Sequence, residues 1–239
     1  RTLASGEAQG DDPAEDGEAE DGDDGLLAVH HGRGPQGSRS PRRRCRGFRR
    51  RPEAAKIVRV HAAPSEASPF VQRAAVLVEP GATVLDLACG RGRHARLFAA
   101  AGQRVLAVDR DAEALASLAG RAGIETRCLD LEGETWPLAG ARFDCVVVTN
   151  YLWRPRLPEV AALVAPGGLL IYETFALGQE DLGRPSNPAF LLREGELLEA
   201  FGGELSVIVY EHGRIERPRP AIVQRLLAAR RPAAAVPIP

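Results

Sequence analysis

Asp86 sits inside an apolar run, Val84-Leu85-Asp86-Leu87, four residues ahead of Gly90 in the turn Ala88-Cys89-Gly90-Arg91-Gly92-Arg93-His94. Asp109 closes a second apolar run, Arg104 to Val108, nineteen positions after Gly90. An apolar strand, a glycine turn, a helix and a strand-terminal acid make a nucleoside-binding unit. The glycines let a ligand approach the backbone, and the acid accepts from two ribose hydroxyls. A dinucleotide would place its pyrophosphate on the N–H groups at the helix start, and Gly90-Arg91-Gly92-Arg93-His94-Ala95 is compatible with that pattern. Asp86 argues against it, because a carboxylate on the approach to the turn repels a pyrophosphate. The same carboxylate suits a ligand with a cationic end, such as an amino-acid ammonium or a sulfonium. An NAD(P)-dependent oxidoreductase on a related fold is therefore the alternative reading rather than the leading one.

The stretch V-L-D-L-A-C-G-R-G-R-H, followed by A-V-D-R-D, resembles the class I S-adenosylmethionine-dependent methyltransferases. Among them it is similar to the small bacterial enzymes of the tellurite-resistance type. The resemblance spans about residues 65 to 230. It implies S-adenosyl-L-methionine as cofactor and in-line transfer of its methyl group to a small-molecule acceptor. By the same resemblance Asp86, Ala88, Gly90 and Gly92 hold the methionine part, and Asp109, with Arg110 beside it, holds the ribose. Asp130 accepts from the exocyclic amine of the adenine, and Leu131 covers the ring. Ala88 departs from the glycine of many members, and its extra methyl implies a tighter pocket. A non-catalytic cofactor-binding module remains a second alternative.

Elements that can position these residues follow from periodicity. Asp111 to Gly120 reads as an acid-started helix with a glycine near its end. Ile124 to Leu129 reads as a third strand. Phe143 to Val148 is almost wholly apolar, as a strand buried on both faces must be. It runs into Thr149-Asn150-Tyr151-Leu152, beyond the carboxyl end of a strand, where open α/β sheets bind ligands. Asn150 is thus placed on the cofactor, and Tyr151 where the methyl group leaves. A helix over 158–164, a Pro166-Gly167-Gly168 turn, a fifth strand over 169–175 and a helix over 191–201 follow. Strands over 205–212 and 220–229 complete the expectation. Together with the resemblance, which implies the antiparallel edge, the expected fold class is α/β, a Rossmann-like doubly wound sheet of seven mostly parallel strands with an antiparallel edge strand.

Proton chemistry has three candidates. His94 opens the helix after the glycines, Tyr151 ends the fourth strand, and Glu173 lies in the fifth. A buried acid such as Glu173 needs a partner, with Arg154, Arg156 or Arg184 available, or it serves as general base. A soft or anionic acceptor needs no strong base, whereas a hydroxyl or amine does. The polar segment from Leu177 to Asn187 reads as a loop over the site, with Arg184, Ser186 and Asn187 able to close on the cofactor. Trp136-Pro137 reads as an anchor for a loop. Thr149-Asn150-Tyr151-Leu152 lacks the proline pair of adenine-methylating enzymes, which favours a small-molecule acceptor over nucleic acid.

Composition frames the domain. Residues 7–24 hold ten acids and no base, and residues 33–51 hold nine arginines and no acid. So few apolar residues fall in 1–55 that the segment is expected to be a disordered charged tail. The domain is expected over 56–232, with a flexible C-terminus over 233–239. The arginine run would suit phosphate, but we read it as a linker or as sequence translated from a misplaced start, the chain having no methionine. No apolar run reaches the length of a membrane span, about 18 residues, and no signal-peptide pattern is visible. Cys45, Cys89, Cys128 and Cys145 match no zinc module or redox pair, so they are expected as small buried residues in a reducing cytoplasm. No metal is expected, and the oligomeric state is left open.

Overall fold

The computed structural model describes residues 66–232 and 237–239, all within the unit Arg42–Pro239. The expected tail over 1–55, the first ten residues of the expected domain and residues 233–236 lie outside the described residues.

The strands are β1 Thr83–Leu87, β2 Arg104–Asp109, β3 Ile124–Cys128, β4 Phe143–Thr149, β5 Val164–Phe175, β6 Ser206–Ile215 and β7 Ala221–Ala229. They form one sheet in the order β3-β2-β1-β4-β5-β7-β6. β1 to β5 are parallel, and β7 runs antiparallel to both β5 and β6. After β3 the chain returns to add β4 to the other edge of β1. The point between β1 and β4 is therefore the topological switch, the place where such sheets open a ligand crevice. The seven-stranded Rossmann-like sheet with its antiparallel edge is the expected fold.

Successive strand residues face opposite layers, and the core divides accordingly. Val84, Ala107, Val147, Ile171 and Leu227 pack with Phe70, Val71 and Ala74 of α1 (Pro69–Ala75) and with Ala95 and Phe98 of α2 (Arg93–Ala100). Leu85, Val146, Val148, Leu170, Tyr172 and Leu226 pack with Leu157, Val160 and Ala161 of α4 (Leu157–Ala162) and Leu197 and Phe201 of α5 (Glu196–Phe201). α3 (Ala112–Ala116) is capped by Asp111, whose side chain accepts from Glu113 N and Ala114 N. Asp86, Thr149, Glu173 and Arg225 share the face of α1 and α2 by this alternation.

Three elements differ from the sequence expectation. The helix expected over 191–201 starts only at Glu196, because Leu192 donates from its backbone to Phe175 O and bridges Ala176 in parallel. β5 starts at Val164, and the Pro166-Gly167-Gly168 turn becomes an irregularity within it, with β4 pairing shifting between Phe143 and Cys145. α1 was not anticipated. Its signal is Ser68-Pro69: the Ser68 side chain caps the helix by accepting from Phe70 N, and proline suits the first helical position.

Candidate functional site

The turn after β1 is held by backbone conformations that few side chains tolerate. Gly92 has φ +70°, and a Cβ there would fall 2.3 Å from Leu118 Cδ1, so close packing of the α2 start on Leu118 requires glycine. Gly90 has φ +56°, and a Cβ there would meet nothing within 4 Å, so the backbone borders open space. Ala88 at the end of β1 and Asn150 at the end of β4 also adopt positive φ, 55° and 54°. Left-handed backbone costs a non-glycine residue roughly 1–2 kcal/mol, and such outliers concentrate at ligand sites. These two flank the switch point.

Asp86 is fully buried. Its Oδ2 accepts from Ala95 N at 2.8 Å, while Oδ1 has no partner among the described residues. Burial pushes its carboxyl up to about 7, against the opposing pull of the Ala95 hydrogen bond. A buried acceptor without a donor is costly, so the geometry fits a ligand that brings an N–H or a positive charge to Oδ1.

Asp109 ties the turn to β2. Its Oδ2 accepts from Gly90 N at 2.8 Å, and Oδ1 accepts from Asp111 N at 2.8 Å. Each carboxylate oxygen keeps a second lone pair, so two hydroxyls of a ribose can still donate to it. Beyond β3, Asp130 is exposed and its Oδ1 accepts from Glu132 N at 3.0 Å. Arg110 reaches Glu132 across 3.3 Å. Leu131 is buried in the apolar cluster that also holds Tyr151 and Leu138.

The three proton-handling candidates separate clearly. His94 is buried and fully engaged: its Nε2 accepts from Ser68 N at 3.1 Å, and Nδ1 lies 3.2 Å from Thr149 Oγ1. Nε2 as acceptor places the ring proton on Nδ1, so the imidazole is a neutral strut between α1, α2 and β4. Burial, aided by Arg93, lowers its pKa to about 3. Tyr151, directly after β4, is buried, and its hydroxyl has no partner among the described residues. Burial raises its pKa further above the ordinary phenol value.

Glu173 pairs with Arg225, not with Arg154, Arg156 or Arg184. Its Oε2 accepts from Arg225 Nε at 2.7 Å and from Ser68 Oγ at 2.8 Å. Arg154 is instead claimed by Glu196 at 2.5 Å, and Arg156 by Glu159 at 2.6 Å. The physical reason is register: Glu173 faces Arg225 directly across β5 and β7. Arg225 continues to Glu211 of β6 at 3.0 Å, and Glu211 also binds Arg73 of α1. Asn150 is exposed, and its backbone N donates to Glu173 O at 2.9 Å.

In the loop from Leu177 to Asn187, Gln179 Oε1 accepts from Ile222 N at 2.9 Å and pins the segment to the start of β7. Arg184, Ser186 and Asn187 are exposed, and Asn187 caps a 3-10 turn by accepting from Ala189 N. Trp136 is half-buried beneath the Arg156 guanidinium, 5.8 Å from its ring centroid. Cys89 and Cys145 are free thiols, both shifted upward by burial. Cys128 ends β3 at the edge of the sheet and is only half-buried, less enclosed than expected. Among the described residues, no group of three or more His, Cys, Asp or Glu side chains is arranged to hold a metal ion. No described helix is long and apolar enough to cross a membrane.

The strand order, with its switch point between β1 and β4, gives the fold seen in solved S-adenosylmethionine-dependent methyltransferases. Residues 84–168 match the family described as a methyltransferase domain. Over 103 residues the chain is 35% identical to a malonyl-[acyl-carrier protein] O-methyltransferase of Pectobacterium atrosepticum, covering 41% of this chain and 40% of that protein. The chain thus spans about two-fifths of that curated relative. Among solved structures it is similar to TehB from Haemophilus influenzae, with TM-score 0.59 and 22% identity over 69% of this chain and 63% of that one. A second is N-methyltransferase NodS from Bradyrhizobium japonicum WM9 in complex with S-adenosyl-L-homocysteine, with TM-score 0.53 and 14% identity over 68% and 88% of the two chains. A third is the 1,6-didemethyltoxoflavin-N1-methyltransferase of Burkholderia thailandensis, with TM-score 0.51 and 22% identity over 68% and 78%.

Proposed function

We propose that this protein binds S-adenosyl-L-methionine at the β1–β4 switch point and transfers its methyl group to a small-molecule acceptor in the cytoplasm. The observation that carries the reading is Asp86, a fully buried carboxylate whose Oδ1 has no donor among the described residues. A pyrophosphate would meet it as a like charge, whereas the ammonium of an amino-acid moiety would complete it. Asp109 at the end of β2 supports a ribose, and Asp130 and Leu131 beyond β3 border the adenine.

When bound, S-adenosylmethionine supplies a methyl group already activated by a sulfonium, so the protein's task is to position and to exclude water. Asp86 holds the cationic end, and Asp109 fixes both the ribose and the glycine turn through Gly90 N. His94 cannot take a proton near neutral pH, because Ser68 N occupies its Nε2. Tyr151 remains a neutral donor. Glu173 is the base that remains if the acceptor must lose a proton, because its Oε2 takes both hydrogen bonds and leaves Oε1 for a ligand.

Titration calorimetry with S-adenosylhomocysteine, S-adenosylmethionine and NAD tests the binding step. Saturable binding of the first two, weakened about tenfold or more by Asp109→Ala, is expected. Tight NAD binding without adenosylhomocysteine binding would overturn the reading in favour of an oxidoreductase. A labelled-methyl screen over thiols, carboxylates, metalloid oxyanions, phenols and transfer RNA tests catalysis. Cofactor binding with no transfer to any class would leave a binding module.

A further inference from the structure

Ser68, buried just ahead of α1, sets the hydrogen-bond polarity of two groups on the sheet. Its backbone N donates to His94 Nε2 at 3.1 Å. A ring nitrogen that accepts carries no proton, so the proton of neutral His94 is on Nδ1. Thr149 Oγ1, 3.2 Å away, therefore accepts from Nδ1, and its own hydrogen has no acceptor among the described residues. The Ser68 hydroxyl accepts from Phe70 N at 3.2 Å and gives its one proton to Glu173 Oε2 at 2.8 Å. Arg225 Nε donates to the same oxygen at 2.7 Å. Glu173 Oε1 accepts from no described residue, yet it is not one of the enclosed atoms that lack a partner, so it borders an opening.

These two groups are neighbours. Thr149 and Glu173 are register partners on β4 and β5. Their side chains share one face, about 5 Å apart across parallel strands. Among the described residues no hydrogen bond joins them to each other. One hydroxyl is thus left to donate, and one carboxylate oxygen is left to accept, into the space between them. Contacts fix where that space lies. Leu87, the last residue of β1, is level with Val148, so Thr149 and Glu173 stand level with the first residue of the glycine turn. Consecutive residues of α2 tie Thr149 to Asp86: His94 touches Thr149, and Ala95 N donates to Asp86 Oδ2 at 2.8 Å. The pair adjoins the switch point, on the same face as Asp86.

We propose that Thr149 and Glu173 receive the nucleophile of the methyl acceptor, and that this nucleophile is the hydroxyl of an alcohol or a phenol. The proposal rests on the methyl-transfer reading and names the acceptor class for it. A hydroxyl has one proton and two lone pairs. It donates to Glu173 Oε1, accepts from Thr149 Oγ1 and keeps one pair for attack. A neutral amine has a single lone pair, which the Thr149 donor would occupy. A carboxylate or a thiolate brings no proton to Glu173, and an oxyanion of any kind meets it as a like charge. In the transfer the hydroxyl oxygen forms a bond to the methyl carbon. The carbon–sulfur bond breaks with its electron pair passing to sulfur, and the hydroxyl proton moves to Glu173 Oε1. A sulfonium, an alcohol and a carboxylate thus become a thioether, a methyl ether and a carboxylic acid, with charge conserved.

Two measurements test this. Nitrogen-15 NMR of the histidine rings in the full chain, with His94 assigned through its backbone, reads the polarity without any acceptor. A protonated Nδ1 and a bare Nε2 are expected. A proton on Nε2 would commit the Thr149 hydrogen to the ring and overturn the proposal. Labelled-methyl transfer is then measured against pools of phenols, aliphatic alcohols and sugars, and against pools of amines, thiols, carboxylates and metalloid oxyanions. Transfer to a hydroxyl pool, with a methyl ether as product, is expected. Thr149→Val should lower kcat/KM about tenfold or more, the worth of one hydrogen bond to the reacting group, and Thr149→Ser should recover most of the loss. Glu173→Gln should lower kcat about a hundredfold or more, while adenosylhomocysteine affinity stays within about twofold in every variant. Thermal melts exclude loss of folding as the cause. Transfer to an amine, thiol, carboxylate or metalloid pool, wild-type kcat/KM in Thr149→Val, or cofactor binding with no transfer to any pool would each overturn the proposal and leave the cofactor site standing. Failure of adenosylhomocysteine to bind would instead overturn the methyl-transfer reading itself, and this proposal with it.

Discussion

Asp86 and His94 are both buried yet respond to protons in opposite ways. Asp86 has a folded pKa of about 7 against an ordinary 3.8, so between these values the folded state holds a proton that the unfolded chain releases. Its contribution is therefore most favourable at low pH and is lost as pH rises through 7, by about 1.4 kcal/mol per unit. His94 has a folded pKa of about 3 against 6.5, so acidification protonates the unfolded chain first. Its contribution is fully present above 6.5 and is lost as pH falls toward 3. The two slopes nearly cancel between about pH 4 and 6.5. We expect Asp86→Asn to expose the histidine slope and lose stability on acidification, and His94→Asn to expose the aspartate slope and gain it. Urea denaturation at pH 5 and pH 6.5 measures both, and parallel behaviour of the two variants would refute the pair of assignments. A ligand needing ionised Asp86 binds with the opposite sign. Adenosylhomocysteine affinity should fall roughly tenfold per unit below pH 7, and calorimetry on Asp86→Asn should find that dependence gone. A flat wild-type profile would mean that the carboxylate does not contact the cationic group.

Among the elements, β4, β5, β7 and β6 carry one polar row: Thr149, Glu173, Arg225 and Glu211 stand opposite one another in register. α1 closes over the row with Ser68 and Arg73. The row fastens the layer that supplies His94 and Arg93 to the acceptor half of the sheet. Removing Arg225 would leave the Glu173 carboxylate buried with only Ser68, and breaking a buried pair costs about 3 kcal/mol or more. Arg225→Ala should therefore lower the urea midpoint strongly, whereas the exposed Arg127→Ala should hardly move it. Equal effects would show the row to be incidental. The strands themselves were legible because each is an apolar run between turn residues, and Asp86 and Asp109 stood out as acids within or closing such runs, whereas the role expected of Asp130 came from the family resemblance. The partner of Glu173 was not legible. It depends on pairing between strands fifty residues apart, which periodicity along one strand cannot report. α1 escaped for a related reason: seven residues are too few for a helical period to show, and only its Ser-Pro start marks it.

On the proposed reading, the switch between β1 and β4 divides the whole sheet into a cofactor half and an acceptor half. β1, β2 and the segment after β3 contribute the carboxylates Asp86, Asp109 and Asp130, suited to an ammonium and to hydroxyl donors. β5 contributes Glu173 and Phe175. The cofactor half is built from chain nearby in sequence, with the Gly90 to Asp109 bond closing only nineteen residues. The acceptor half depends on strands added late in the chain and on α1 before them. Ligands should therefore mark the halves separately in hydrogen exchange. Adenosylhomocysteine should slow exchange in 86–95, 109–111 and 130–133 while leaving 213–223 nearly unchanged. The contrast between the two sets carries the argument, because a ligand that rigidified the entire sheet would protect both at once. Protection of 213–223 by adenosylhomocysteine alone would place the cofactor across both halves, and the division at β1 and β4 would then fail.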